Sequence, residues 1–479
     1  MKFFLFHWPI SNKEYVEAVL DLEKRGHEIT YWADSMKKIN EVKDKFPKTI
    51  FHDHSEAWFG RPAAELESIW APPPADLIQK MYKVESVILT MMNKRFDWMC
   101  VDERKHLYYQ MLGYWGPVLK KYKPDLIIFT AVPHTVYDYL VYELAQLWNI
   151  RTMMFDSTLI GDRHLFMNNF KEGNLQLYKT ILKNNDKNFS ILDLDPDLRE
   201  YFKLHTEEGM DATPLYVKEE RKKHLWYRRV RFKLKLVLQN IRHWSFFAKV
   251  FIYLLKLVKK NIQREYRGVQ VVPNLNQKFI YVPLNYQPEC TTSPQGGVFV
   301  DLILMLEILS ASLPEGWVIY TKDHPSQWAP RGVNFSSVRY EGYYKRIAKI
   351  PKVCVIPIET DTYLLIDRSQ MVVSVTGTAV WEALFRGRPG LIFGYPWYQN
   401  CPLILRAQDV ESCRNAIDLV LRGFKPNKQR VINFLKSLEE ATVHGYFDFG
   451  YGKNISKIND RESADNFKNI ILNEINTVN

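Results

Sequence analysis

Apolar and polar positions along this chain switch between two periods. Residues 2–8 are almost wholly apolar, and "SNKE" at Ser11–Glu14 reads as a capping box opening a helix that runs to about Lys24. Gly26 stops that helix, and "HEITYWA" supplies the next apolar run. Later, "PDLIIFT" (124–130), the helix-spaced "AVPHTVYDYLVYELAQLWNI" and "RTMMFD" (151–156) repeat the order strand, helix, strand. Apolar runs alternating with helices predict a parallel sheet covered on both faces.

The same alternation returns in the second half. Strands are predicted at 277–283, 316–322, 352–357, 370–375 and 389–393, and helices at about 298–312, 361–368, 378–386 and 408–421. The length, 479 residues, exceeds what one core serves and fits two domains. We therefore expect an α/β chain of GT-B-like form, two Rossmann-like parallel-sheet domains facing a cleft. The expected division is residues 1–205 for the first domain, 206–268 for a basic helical insertion and 269–426 for the second. Residues 427–479 form a helical tail expected to pack back on the first domain. In such an arrangement a ligand lies at the carboxyl ends of the strands.

Charge changes this picture in one place. The chain carries a formal +11, yet Lys218–Arg267 alone holds 16 Lys and Arg against three acids, a local +13 that leaves the remainder at −2. On a helical projection Phe247, Phe251, Leu254, Leu255 and Val258 share a side, with Arg242, Lys249, Lys256 and Lys260 roughly opposite. Trp226, Tyr227 and Trp244 add interface-seeking rings. This pattern predicts a helix on an anionic membrane surface. Packing of the apolar face on its own domain is the plainer alternative, and nucleic acid is disfavoured because phosphate backbones do not require a bulky apolar face.

Five scattered cysteines without a CxxC pair argue against a zinc site or disulfide framework and fit a reducing cytoplasm. The N-terminus, "MKFFLFHWPI", is interrupted by Pro9 and lacks a cleavage site, so it reads as a buried strand and not a signal peptide. No run of about 18 apolar residues occurs.

Candidate chemistry concentrates after strands. "MVVSV" turns at Thr376-Gly377-Thr378 into a helix carrying Glu382. Gly377 lets amides approach an anion at a helix N-terminus, where phosphate is favoured. Glu382 lies one turn on, on the face of Thr378, placed to accept two hydroxyls of a ribose; the bland alternative is a bond to a neighbouring element. "YTKDHPSQW" puts Lys322, His324 and Pro325 at a strand end, as phosphate ligands. "VPLNYQPECTTSP" offers Gln287 and Glu289 after another strand. In the first half, His7 and His134 follow apolar strands and are candidate bases for an acceptor hydroxyl, although a structural role is the commoner fate of either. "DLDPD" (193–197) holds a DxD that suits a metal, or equally a helix start with Pro196 in the first turn.

Together, "YVPLNYQPECTTSP", "GWVIYTKDHPSQW" and "VVSVTGTAVWEALFRGRPGLIFG" resemble the capsule polysaccharide biosynthesis proteins over about residues 275–400. That family includes bacterial transferases of the sugar acid Kdo, with the GT-B fold and a cytidine monophosphate sugar donor. The resemblance implies donor-phosphate roles for His324, Pro325 and the Thr376–Thr378 turn, a ribose role for Glu382, and a donor-site loop at Gln287 and Glu289. Kdo-transferring members carry further aspartates where this chain has Cys290, Thr291 and Thr292. The expectation is thus a metal-independent glycosyltransferase, peripheral on the inner face of the cytoplasmic membrane. It would pass sugar from a nucleotide-sugar donor, CMP-sugar favoured, to a surface polysaccharide or lipid-linked precursor, with Glu289, His324 and His134 as the catalytic set. No cofactor, metal or nucleic acid is expected. The alternatives are a nucleotide-sugar 2-epimerase-like enzyme and a non-catalytic polysaccharide assembly protein.

Overall fold

The computed structural model describes residues 1–207, 262–328 and 338–476. The greater part of the basic insertion, including both faces read from its sequence, lies outside the described residues.

Two sheets organise the chain. The first contains β1 (Lys2–Phe6), β2 (Glu28–Asp34), β3 (Ile50–Asp53), β4 (Leu126–Phe129), β5 (Arg151–Ser157), β6 (Arg163–Met167) and β13 (Val443–His444), in the order β13-β6-β5-β4-β1-β2-β3. The five strands from β5 to β3 are parallel, β6 is antiparallel to β5, and β13 is antiparallel to β6 at that edge. The second is wholly parallel, in the order β12-β11-β10-β7-β8-β9. Its strands are β7 (Phe279–Pro283), β8 (Val318–Lys322), β9 (Val353–Val355), β10 (Met371–Ser374), β11 (Gly390–Ile392) and β12 (Ile404–Arg406). These are the two Rossmann-like domains of a GT-B-like architecture, as the alternation predicts.

Burial explains the apolar runs. Both faces of each sheet are covered, so Phe3 to Phe6, Ile127, Ile128 and Met371 to Val373 are all shut from solvent. The first helix starts one residue later than the "SNKE" reading places it: Asn12 is its cap and accepts from the Glu14 amide, and Lys13–Lys24 is helical. A two-atom amide side chain reaches the next amides as well as a serine does.

The domains are joined by more than the insertion. The Pro196–Thr206 helix, at the end of the first half, packs on the Thr378–Phe385 helix of the second, with Tyr201 and Phe202 against Phe385. After the second sheet, the Lys428–Ala441 helix returns to pack on Leu175–Asn184, and Asp460–Asn476 lies along Lys13–Lys24. Phe467, Ile471 and Ile475 of that last helix complete the core beneath β1 and β4. The DxD is explained here. Asp195 and Asp197 both grip Arg163, at 2.5 and 2.6 Å, and Pro196 opens the helix. Both carboxylates serve a buried guanidinium that ties β6 to the crossing helix.

Candidate active site

Three loops of the second domain leave the carboxyl edge of neighbouring strands β10, β7 and β8, and Asn285 links two of them. Its amide donates to Thr376 Oγ1 at 3.1 Å while its side-chain oxygen accepts from Ser374 at 2.9 Å. Its backbone carbonyl accepts from Arg339, which is paired at 2.9 Å with Asp323 beneath the "KDHP" turn, both side chains fully buried. Tyr344 also donates to Asp323. A buried pair without solvent requires such additional bonds to be tolerated. Sequence reading missed this frame. Asn285 sits in the quoted "VPLNYQPEC", but nothing in one sequence shows that its amide reaches another strand's turn.

The frame fixes the Thr376–Thr378 turn. The Thr376 hydroxyl is buried and donates to Thr291 O at 2.5 Å, so it holds the turn and does not face a ligand. The Gly377 amide donates to Ser374 Oγ, and a Cβ at Gly377 would stand 2.7 Å from that oxygen, so only glycine fits. Thr378 begins an eight-residue helix with no side-chain cap, half-buried at the cleft edge. Uncapped amides there carry partial positive charge.

His324 follows β8 in the turn next but one along the sheet. Its Nδ1 accepts the Ser326 amide at 3.1 Å, which places the neutral ring's proton on Nε2 as a donor. Tyr286 meets the ring edge at 5.7 Å between centroids, and Pro325 is exposed. Lys322 is placed otherwise than expected. It is 6% exposed, and its ammonium donates to Thr360 O and Thr362 Oγ1, holding the loop after β9. Gln287 is likewise structural. Its side chain donates to Val300 O at 2.7 Å and accepts from Arg339, and its backbone exchanges bonds with Gln327. Glu382 is buried beside Tyr201, Tyr281 and Tyr398, and burial pushes its carboxyl up to about 7, against a Thr378 bond that lowers it.

The loop after β7 continues to the first domain. Cys290 Sγ approaches Val132 O at 3.7 Å, and Gln295 donates to Asp156 at 3.2 Å, where burial pushes that carboxyl up to about 7. Glu289 and His134 line one small cavity on this seam, with Lys94 and Ser293. His134 Nδ1 donates to Val132 O at 2.7 Å, leaving Nε2 as an acceptor, and burial lowers its pKa. It is therefore a neutral base facing a carboxyl residue of the other domain.

His7 stands immediately after β1 in left-handed backbone, φ 61°, a conformation that non-glycine residues seldom keep without compensation. Its Nε2 lies 3.0 Å from Asp138 Oδ2, a carboxylate only 1% exposed whose other oxygen accepts the Thr135 amide. His54 packs 4.7 Å from the His7 ring, and burial lowers its own pKa to about 4. The partner of His7 was not anticipated, although Asp138 occupies the third position of the Val136–Leu147 helix, where an acid is ordinary.

Among the described residues no group of three or more metal-ligating side chains occurs, and no helix is long and apolar enough to cross a membrane. A sequence comparison with curated proteins finds no match. Among solved structures, the chain is similar to Thermosulfurimonas dismutans KpsC, beta Kdo 2,7 transferase, at 11% identity and TM-score 0.32, covering 92% of this chain and 99% of that one. It is similar to UDP-GlcNAc 2-epimerase from Methanocaldococcus jannaschii at 12% identity and TM-score 0.25, covering 90% and 95%. The architecture rests on the sheet order above and not on these distant likenesses. The model of the capsule polysaccharide biosynthesis protein family matches residues 252–411. That span contains every second-domain turn described above, and over it this chain is similar to the capsule polysaccharide biosynthesis proteins.

Proposed function

We propose that the protein is a glycosyltransferase moving a sugar from a nucleotide-sugar donor, CMP-sugar favoured, onto a surface polysaccharide or its lipid-linked precursor. The observation carrying this reading is the Asn285 frame. It fixes the start of the uncapped Thr378–Phe385 helix, which carries Glu382, and sets Asp323 beneath the adjoining His324 turn. Two donors of fixed orientation, helix amides and the His324 Nε2–H, suit the oxygens of a departing phosphate. Glu382 then meets the ribose, and sharing its proton with a sugar hydroxyl suits a carboxyl titrating near neutrality.

The acceptor belongs to the first domain in this reading. His134 or His7 removes the acceptor proton, and Glu289 closes the reaction centre from the opposite side. The basic segment 218–267 keeps the enzyme on the inner face of the cytoplasmic membrane.

Thermal stabilisation across CMP, CDP, UDP and GDP tests the donor class, because a ligand at 100 times its dissociation constant contributes about 2.7 kcal/mol. His324→Ala and Glu382→Ala are each expected to abolish the shift while the chain stays folded. Failure of all four nucleotides to stabilise the protein defeats the proposal. Donor turnover in the absence of any acceptor would instead indicate an epimerase.

A further inference from the structure

Beyond the nucleotide turns, one cluster on the first domain combines an indole N–H that lacks an acceptor among the described residues with two cations packed on its ring. Trp58 is 5% exposed, ends the short His54–Trp58 helix, and its indole N–H has no hydrogen-bond acceptor among the described residues. The Arg95 guanidinium lies over its ring at 4.1 Å and the Lys94 ammonium at 5.7 Å. Neither cation has a carboxylate within ion-pair distance among the described residues. The His54 ring stands edge-on to the indole at 5.2 Å, and His7 follows at 4.7 Å.

The nearby acids are already spent. Asp53 accepts the Met36, Ser55 and Glu56 amides, and Asp138 is held by His7 and Thr135. An orphaned buried N–H costs free energy that an incoming acceptor atom can restore. Of the three, Lys94 also lines the seam cavity that contains His134 and Glu289, which brings it beside the reaction centre.

We propose that Trp58, Lys94 and Arg95 form an anion subsite for the acceptor, which carries a carboxylate or phosphate on the sugar next to the reacting hydroxyl. The indole N–H and the two cations take the anion, and the acceptor hydroxyl is left toward the histidines. This rests on the acceptor role assigned to the first domain.

Calorimetric titration of the full chain with D-glucuronate, glucose 1-phosphate and methyl glucoside tests it. At least one anionic sugar is expected to bind ten-fold or more tightly than the neutral glucoside, with affinity falling as salt rises. Which anion wins identifies carboxylate or phosphate. Lys94→Gln and Arg95→Gln, both on partly or fully exposed side chains, are each expected to weaken that binding at least five-fold while nucleotide stabilisation is kept. Trp58→Phe is expected to weaken it with the ring face retained. Equal binding of charged and neutral sugars, or unchanged preference in the Lys94→Gln Arg95→Gln double variant, overturns the subsite. Loss of nucleotide stabilisation in the wild type would instead overturn the transferase reading itself.

Discussion

His7 Nε2 and Asp138 Oδ2 are 3.0 Å apart, joining the end of β1 to the start of the Val136–Leu147 helix. The carboxylate accepts the Nε2–H, so the lone pair of the neutral ring is on Nδ1. If this ring takes the acceptor proton, Asp138→Asn should lower turnover by about 100-fold or more, in line with the general range for acid–base catalysis. Donor stabilisation by nucleotide should survive, because Asp138 belongs to the other domain. The check is turnover against pH. Loss or displacement of the acidic limb indicates a proton-handling role, whereas a uniform small drop indicates a structural one.

Glu382 makes a stability prediction with a defined sign. Its folded carboxyl titrates near 7, above its ordinary 4.5, so the folded state keeps a proton that the unfolded state has lost. That contribution is complete below about 4.5 and disappears as pH rises through about 7, a change on the order of 3 kcal/mol from the two values. Glu382→Gln should therefore lose less stability than wild type between pH 5 and pH 8, measured by thermal midpoint. Asp156 shifts in the same direction, so some slope should persist in the variant.

Arg339→Met should be severely destabilising, by about 3–5 kcal/mol, because it strands the Asp323 carboxylate in the core. Denaturant unfolding reads this directly. A loss under about 1 kcal/mol would show that Tyr344 and the His324 amide hold Asp323 without the guanidinium.

Gly377→Ala should shift the turn, since its Cβ would meet Ser374 Oγ at 2.7 Å. Nucleotide stabilisation should fall at least ten-fold in apparent affinity while overall folding persists. Asn285→Ala should do the same by a different route, leaving Ser374 and Thr376 without their shared partner.

Legibility in the sequence followed the physics of each feature. The strands and helices around Met371–Phe385 were readable because a buried parallel strand needs an unbroken apolar run and the helix after it starts at a glycine turn. His324 and Glu382 were singled out as candidates from their place after β8 and β10. Lys322 and Gln287 were singled out on the same grounds, yet their donors turn inward to Thr360, Thr362 and Val300. Which way a polar side chain turns at a strand end depends on partners tens of residues away. The same limit hid Asp138 behind an ordinary helix-start acid and Arg339 within an unremarkable loop. Trp58 and Arg95 gave no periodic signal, because their contact joins two short turns 37 positions apart in sequence.

The last helix, Asp460–Asn476, supplies Phe467, Ile471 and Ile475 to the core under β1 and β4. The first domain is thus closed by a helix that follows the whole second sheet in sequence. During synthesis its opening strand leaves the ribosome hundreds of residues before the surface meant to cover it. The amino-terminal half must wait partly uncovered while the nucleotide half is made, which makes that interval the point of greatest exposure to aggregation and to chaperones.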